Sequence, residues 1–245
     1  MKSLIKWTLG IVGVLLLLAA GAAAVGWQMA QSKMTRKVEV APHPVAYAED
    51  TATLERGRYL FESRGCAECH GANGGGRVFV DDGHLKVAGP DITRAGVTAK
   101  YQPADWERAI RHGVKPNGQP MMVMPSEDYN RLTDADLSAV VSYVRRLPPM
   151  TGAAAVMELP LPVRVLYGFG AIKDGAAKID HSLPPAQPVE VGVNVKHGAY
   201  VANMCIGCHG EHLSGGKIPG GPPAWPPAAN ITPGEGTVMT RYKDA

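Results

Sequence analysis

Two copies of one cysteine and histidine motif are the residues best suited to chemistry in this sequence. Cys-x-x-Cys-His occurs at 66–70 and at 205–209, and all four cysteines lie in these motifs. On a helical turn, residues i, i+3 and i+4 project to one face, so two thiols and an imidazole can meet one flat macrocycle. The spacing is typical of covalent c-type haem attachment, in which the imidazole binds the iron. The residues so predicted are Cys66, Cys69, Cys205 and Cys208 for attachment, with His70 and His209 as axial ligands.

Zinc binding and thiol–disulfide exchange are the alternatives to haem at these motifs. A zinc ribbon brings its second cysteine pair within about 15–20 residues, whereas these pairs lie 139 positions apart. A thioredoxin-like dithiol is expected within a βαβ unit, and neither pair has such surroundings. The histidine also recurs at the same place in both copies. The sequence therefore favours two haem c groups.

Length and composition limit the architecture. The 245 residues indicate one or two domains, and two motifs favour two small ones. Aromatic residues make up only 6% of the chain, so we expect no large apolar core. The 29 glycines and 20 prolines indicate long irregular connections between a few helices. A net charge of +3 is too small to indicate nucleic-acid binding.

An apolar segment at the amino terminus predicts a membrane anchor over residues 1–32. The stretch from Trp7 to Trp27 would span about 30 Å as a helix, enough to cross the hydrocarbon core of a bilayer. An alanine triplet starting at Ala22 is similar to a signal-peptide cleavage site, so a cleaved leader is the alternative. Both interpretations carry the remaining chain across a membrane. We expect the bacterial inner membrane, with the haem domains in the periplasm and a tether at 33–50.

Three helices are predicted in residues 51–149, which we take as the first domain. The first is expected to be capped by Thr51 or Thr53 and to end near Gly65. The second starts near Pro103 and ends near Gly113, and the third starts at a capping box from Thr133 and ends near Pro148. From Leu137 onward the third helix carries apolar residues at i, i+3, i+4 and i+7, which predicts a face directed at the core. Residues 71–89 are rich in glycine and show neither the helical nor the strand period, so we predict a loop.

Methionines between the second and third predicted helices offer a further iron ligand. Met121, Met122 and Met124 lie in this loop, and Met124 directly precedes Pro125. A thioether in the sixth position of a haem iron stabilises the ferrous form and closes the site to substrate. Methionine also fills gaps in a core, so packing is the alternative for all three.

The order of these features resembles the class I cytochrome c domain. That order is helix, Cys-x-x-Cys-His, irregular loop, helix, Met-Pro loop and closing helix. The resemblance implies a mainly α fold of a few helices around one haem, with His70 as the proximal ligand and Met124 as the distal one. It also implies that a carbonyl of the Gly89-Pro90 turn accepts a hydrogen bond from the proximal histidine and holds its ring. Contacts between the first and last helices are implied at Gly57 or Tyr59 and at Tyr143.

A linker and a partial second copy are expected after the first domain. Residues 150–190 hold several prolines and one short apolar segment, which we expect to pack on a haem domain. Residues 191–245 repeat features of the first copy, and residues 230–232 match residues 91–93 at the offset of 139 that separates the motifs. The chain stops before any counterpart of the Met-Pro loop. We therefore interpret the second cytochrome c domain as truncated, with an open five-coordinate haem as the alternative.

These features predict an electron carrier and not an enzyme. We expect a membrane-anchored, periplasmic dihaem c-type cytochrome that passes electrons from a dehydrogenase or a quinol-linked complex to a downstream acceptor. Its predicted partners are redox proteins, namely a dehydrogenase, an oxidase or another cytochrome. The alternative is a haem enzyme, such as a dihaem peroxidase with an open second haem.

Overall fold

The computed structural model describes residues 2–218 and 225–242, and it is mainly helical, as predicted. Predictions that extend to Met1, to residues 219–224 or to residues 243–245 lie outside the described residues. The helices of the described part are α1 (Lys2–Thr35), α2 (Thr51–Ser63), α3 (Cys66–His70), α4 (Pro103–His112), α5 (Ser126–Tyr129), α6 (Asp134–Arg146), α7 (Leu161–Phe169), α8 (Val195–Ala202) and α9 (Ile206–His209). One antiparallel sheet has the strand order β1 (Arg77–Asp81), β2 (Lys86–Gly89) and β3 (Val156–Glu158).

The core of the first domain forms between α2 and α6. Side chains from both helices meet there at 0% exposure: Leu60, Phe61, Leu137 and Val141. The predicted apolar face of α6 is therefore confirmed as a core face. The two helices approach closely because Gly57 has no side chain, and a Cβ at that position would overlap the carbonyl oxygen of Ala139.

Side-chain caps mark where these helices begin. The Asp50 carboxylate accepts a hydrogen bond from the backbone N–H of Thr53 at 2.9 Å, so the prediction that a threonine caps α2 was wrong. A carboxylate serves this position well because it also complements the positive end of the helix dipole. Thr133 caps α6 as predicted, accepting from the Asp136 N–H at 3.1 Å. Helix α4 also begins at its proline, as predicted.

A small sheet stands where the sequence predicts a loop. The prediction for residues 71–89 was wrong, because β1 and β2 form an antiparallel hairpin there. Strand β3 comes from the linker and pairs with β2, with Met157 opposite Val87. A short hairpin is marginal alone, and a third strand supports it. Since that strand is remote in sequence, no local pattern in 71–89 reveals the pairing.

Helix α1 is long and apolar enough to cross a membrane. Most of its apolar side chains are exposed, and Leu17 is exposed at 75%. A signal sequence near the amino terminus also satisfies these criteria of length and hydropathy. The anchor and the cleaved leader therefore both stay predictions.

Helix α7 packs on the last third of α1, whereas the sequence predicted that this apolar segment packs on a haem domain. That prediction was wrong. A Cβ on Gly168 would overlap the carbonyl oxygen of Gly26, and a Cβ on Gly26 would lie 2.9 Å from Cγ1 of Val165. A glycine on each helix lets the two backbones approach this closely. Contact with α1 also removes apolar surface of both helices from water, and no local pattern in the sequence specifies this neighbour.

The segment at 33–50 lies along the first domain and is not a free tether. Val45 is buried in the domain core at 6% exposure. The Ala48 N–H donates to Ser142 Oγ at 2.8 Å, and Ser138 Oγ donates to the Ala46 carbonyl at 2.6 Å. The sequence did not predict this packing, because the two prolines of the segment prevent a regular helix or strand but do not prevent burial.

The second motif region rests on the first domain through α8 and α9. Tyr200 of α8 donates its hydroxyl hydrogen to Asp136 Oδ2 at 2.7 Å. Gly207 of α9 lies so close to Asp128 of α5 that a Cβ on the glycine would overlap the carboxylate. No residue of α8 or α9, both within the described ranges, is fully buried.

Candidate functional site

The first motif forms a helical turn of its own, α3, between two glycines. Gly65 has a φ of 77° and Gly71 a φ of 73°, a region that residues with a Cβ rarely adopt. These glycines let the chain enter and leave the turn sharply. Cys66, Cys69 and His70 therefore lie at i, i+3 and i+4 of one helical turn, as the sequence predicts.

The imidazole of His70 is held by a backbone carbonyl. Its Nδ1 lies 2.9 Å from the Pro90 carbonyl oxygen, which confirms the contact that the resemblance implied. Burial lowers the pKa of His70, although the bond to Pro90 opposes the shift. The neutral ring that results is the form that binds a metal. Since Nδ1 is engaged, Nε2 is the nitrogen available as a ligand.

Strand β2 approaches the motif at van der Waals distance. A Cβ on Gly89 would overlap the Cys69 carbonyl oxygen, so only glycine fits at this point. The next residue along the chain is Pro90, whose carbonyl bonds the histidine. The close approach of Gly89 therefore positions the acceptor for His70.

Cys66 and Met124 pack against the same buried cluster of the first domain. Burial raises the pKa of the Cys66 thiol to about 12. Met124 is half-buried, and its carbonyl accepts from the Ser126 N–H at 2.8 Å. In the part of the chain that is described, Met121 and Met122 do not touch this cluster. The loop methionine chosen by the resemblance is thus the one directed to the domain interior.

The second motif is surrounded by the same hydrogen bonds as the first. Nδ1 of His209 lies 2.7 Å from the Ala229 carbonyl oxygen, twenty positions along the chain, as Pro90 is from His70. The carbonyl of each motif histidine accepts from a glycine N–H six residues later at 2.8 Å. The Ile231 N–H donates to Leu213 at 3.0 Å, where the first copy has Ile92 and Gly74 at 2.8 Å. Each pair of equivalent bonds is offset by 139 positions.

The surroundings of the second motif are more open. Cys208 is exposed, whereas Cys69 is half-buried. Met239 is 40% exposed, and Met204 packs against the cluster of the first domain. Across residues 2–218 and 225–242, no three His, Cys, Asp or Glu side chains are grouped as a metal ion would require.

Comparison with known proteins identifies a family match for the region around the first motif. A family model described as "Cytochrome c" matches residues 54–148. This segment is a cytochrome c domain. The match covers the first motif, Met124 and the closing helix α6.

Several similar proteins are named as cytochrome subunits of dehydrogenases. The fructose dehydrogenase cytochrome subunit of Gluconobacter japonicus is 27% identical over 144 residues, covering 54% of this chain and 29% of that protein. The gluconate 2-dehydrogenase cytochrome c subunit of Pantoea cypripedii is 29% identical over 180 residues, covering 67% and 40%. The cytochrome c subunit of alcohol dehydrogenase (quinone) of Gluconacetobacter polyoxogenes is 27% identical over 174 residues, covering 65% and 36%. The chain therefore spans less than half the length of these relatives.

A cytochrome c domain implies haem c, and the residues present fit that group. The donor set consists of two thiols and an imidazole on one turn, with a half-buried thioether on a loop that faces the core. Trp106 belongs to the same buried cluster, and its Nε1 has no hydrogen-bond partner in the described part of the chain. A buried donor without a partner is costly, so a bound group with an acceptor would relieve it.

The sequence did not predict the contacts of two aromatic residues of the cytochrome c domain, Phe61 and Tyr129. Phe61, and not Tyr59, is the aromatic partner of Tyr143, with ring centroids 5.6 Å apart. Of the two positions predicted to contact Tyr143, Gly57 is confirmed, because a Cβ there would lie 2.8 Å from the Tyr143 Cβ, whereas Tyr59 is 53% exposed. The signal missed was that Phe61 follows Gly57 by one helical turn. Tyr129 of α5 donates its hydroxyl hydrogen to the carbonyl of Arg64 at 2.7 Å and so ties the Met-Pro loop to the start of the motif.

Proposed function

We propose that this protein is a membrane-anchored, dihaem electron carrier that accepts electrons from a dehydrogenase in the bacterial periplasm. The observation that carries the proposal is the His70–Pro90 contact on a Cys-x-x-Cys-His turn inside the cytochrome c domain. It presents two thiols and a neutral imidazole, with its second nitrogen available, in one fixed arrangement. When bound, haem c supplies reversible one-electron exchange at its iron.

In the first domain, each proposed residue has a separate task. Cys66 and Cys69 would hold the porphyrin covalently, and the imidazole of His70 would bind its iron. The thioether of Met124 would also bind the iron, favour the ferrous state and keep substrates from the metal. The Pro90 carbonyl fixes the orientation of the proximal ring and increases its basicity. A site closed on both faces favours electron transfer over substrate chemistry.

A second haem at Cys205, Cys208 and His209 is supported by the recurrence of the hydrogen bonds. The Ala229 carbonyl has the same relation to His209 that the Pro90 carbonyl has to His70. Contact of α9 with α5 also brings the second motif to the helix that follows the Met-Pro loop. Such an arrangement suits electron exchange between two sites of one chain.

The dehydrogenase partner and the membrane location are supported by the relatives and by α1. The similar proteins are named as cytochrome subunits of fructose, gluconate and alcohol dehydrogenases. Helix α1 has the length and composition of an anchor. The reduced dehydrogenase would pass electrons to this chain one at a time at the periplasmic surface.

Haem content and the distal ligand are tested together by spectroscopy of the full chain. Protein matured in a host that attaches haem c should contain two haems per chain and show the far-red charge-transfer band of methionine–iron ligation. Met124→Ala should abolish that band for one haem, while the matched control Met122→Ala should keep it. Colourless protein, or a band of undiminished intensity in Met124→Ala, would contradict the assignment.

The donor is tested in membranes of cells that produce the protein. Fructose, gluconate and ethanol are added in turn while the reduction of c-type haem is followed by absorbance. One of these substrates should reduce the haem in wild-type membranes, and the rate should fall at least tenfold in Cys69→Ala membranes. If all three leave the cytochrome oxidised although dithionite reduces it, the proposed partner class is wrong.

A further inference from the structure

We propose that helix α7 lies on the surface of an anionic membrane, beside the point where α1 leaves the bilayer. Its exposed apolar side chains would insert among the lipid headgroups and hold the cytochrome c domain in one orientation. The inference depends on the proposed function only through the anchoring of α1.

The exposed face of α7 is strongly apolar for so short a helix. Leu161, Leu166 and Phe169 are 50%, 47% and 52% exposed. Leu166 and Phe169 are three positions apart, so they lie on the same side of the helix. Ile172, just beyond the helix, adds a further apolar side chain at 37% exposure. A contiguous apolar patch of this kind marks a surface that another phase or molecule covers.

The apolar patch on α7 is continuous with the proposed membrane-spanning surface of α1. The two helices touch at Gly26, where Val165 and Phe169 pack against the α1 backbone. Trp27 lies at the end of the apolar stretch of α1, where an indole ring favours the membrane interface. The guanidinium of Arg164 lies 4.4 Å from the centre of the Trp27 ring. Helix α7 is therefore at the level at which α1 would pass from hydrocarbon to headgroups.

The charges around this contact favour an anionic lipid surface. Residues 25–37 and 161–174 together contain five basic side chains and one acidic one. The acidic residue, Asp174, is 1% exposed and is held by Arg36 through two bonds of 2.7 Å. Basic side chains beside a membrane span are attracted to anionic headgroups.

The position of α7 relative to α1 is fixed by a buried polar network. Tyr167 donates its hydroxyl hydrogen to Asp174 at 2.7 Å, and Lys33 of α1 donates to the Tyr167 carbonyl at 3.2 Å. The chain that follows is held to α5 by the ion pair of Lys178 with Glu127. The network therefore connects α7 to the domain that carries Met124. The orientation of α7 on the membrane would in this way fix the orientation of that domain.

Photocrosslinking of the full chain in nanodiscs tests the inference. The nanodiscs contain phosphatidylglycerol and phosphatidylcholine, and Phe169→benzoylphenylalanine keeps an aromatic side chain at an exposed position. Mass spectrometry should find lipid adducts on the upper part of the acyl chains, about 5–10 Å below the surface. Leu166→benzoylphenylalanine should do the same and guards against a local disturbance at position 169. The matched control is Val78 of β1, which is 48% exposed and should give no lipid adduct when replaced in the same way.

A fourth position separates this inference from the proposed anchoring. Leu16→benzoylphenylalanine, in the middle of α1, should give adducts deep in the acyl region if α1 spans the bilayer. Adducts at position 16 without any at 166 and 169 would overturn the interfacial role of α7 and leave the anchor intact. Absence of adducts at position 16 would contradict the anchor itself. Crosslinks from 166 or 169 to a protein in producing cells would overturn the inference and make α7 a docking site for a subunit.

Discussion

The two Cys-x-x-Cys-His regions share a hydrogen-bonded backbone but differ in what supports it. Around the first motif, α2 and α6 enclose side chains such as Leu60 and Val141 at 0% exposure. Around the second, α8 and α9 have no fully buried residue, and Val195 is 89% exposed. The motif and its turn therefore dictate the local hydrogen bonds, while stability requires a partner helix that removes apolar surface from water.

The two regions also differ at the central position of the motif. The first copy has Glu68, whose side chain is 70% exposed and lies near Arg77. The second copy has Gly207, and the missing side chain makes room for the Asp128 carboxylate of the first domain. The second motif thus depends on the first domain for contacts that the first motif obtains from its own helices.

The largest effect is expected from adding one methyl group to the first helix of each region. Gly57→Ala would force the new Cβ into the Ala139 carbonyl and separate α2 from α6, at a cost of about 3 kcal/mol in the free energy of unfolding. Gly198→Ala, the matched change in α8, meets nothing within 4 Å and should stabilise its helix by about 0.5–1 kcal/mol. Urea unfolding of the full chain in detergent, followed by circular dichroism, measures both changes. Equal changes in the free energy of unfolding at the two positions would contradict the view that helix packing supports the first motif more strongly than the second.

A smaller effect is expected at the turn that follows each motif. Leu213 has a φ of 56° at the position where the first copy has Gly74, and a left-handed leucine is strained. Leu213→Gly should relieve this strain and raise the free energy of unfolding by a net amount of about 0.5–1 kcal/mol. Hydrogen exchange at the Ile231 amide, which donates to the Leu213 carbonyl, should slow accordingly.

The reverse substitution in the first copy is the control for this prediction. Gly74→Ala places a Cβ at a φ of 74° and 2.7 Å from Leu147 Cδ1. It should lower the free energy of unfolding by about 1–2 kcal/mol. Faster exchange at Ile231 in Leu213→Gly would mean that the leucine is held there by packing that outweighs its strain.

The smallest effect is expected at the contact between Asp128 of the first domain and Gly207 of the second motif, which should depend on pH. Burial, together with the nearby Glu127, raises the pKa of Asp128 to about 6 from 3.8. Because the folded protein holds this proton more tightly than the unfolded chain, the stabilisation is fully present below pH 3.8 and is lost as the pH rises through about 6. Protease cleavage in α9 should therefore become faster between pH 5 and 7.

Neutral and distant variants check the origin of that pH dependence. Asp128→Asn keeps the side chain uncharged, so cleavage in α9 should no longer change across pH 6. Asp82→Asn alters an exposed carboxylate of the hairpin and should leave the wild-type profile intact. A pH profile that survives in Asp128→Asn would assign the titration to another group.

Most of the helical framework could be predicted because its signals are local. Thr133, Pro103 and the apolar spacing of α6 act within one or two helical turns, and the structure follows them. The Cys-x-x-Cys-His turns and an acceptor for His70 in the Gly89-Pro90 turn were likewise predicted from short motifs and a resemblance, and the structure identifies the acceptor as the Pro90 carbonyl. The roles of the cysteines, of Met124 and of the second haem stay predictions.

The sequence by itself determined where α4 and α6 begin, which residues share one helical turn, and which face of α6 is apolar. Only the tertiary structure decided that β3 completes a sheet with the hairpin, that α7 packs on α1, and that Phe61 is the partner of Tyr143. The physical reason is the range of the forces involved. Caps and turns depend on neighbouring residues, whereas strand pairing and burial depend on whichever remote segment offers free backbone groups or apolar surface.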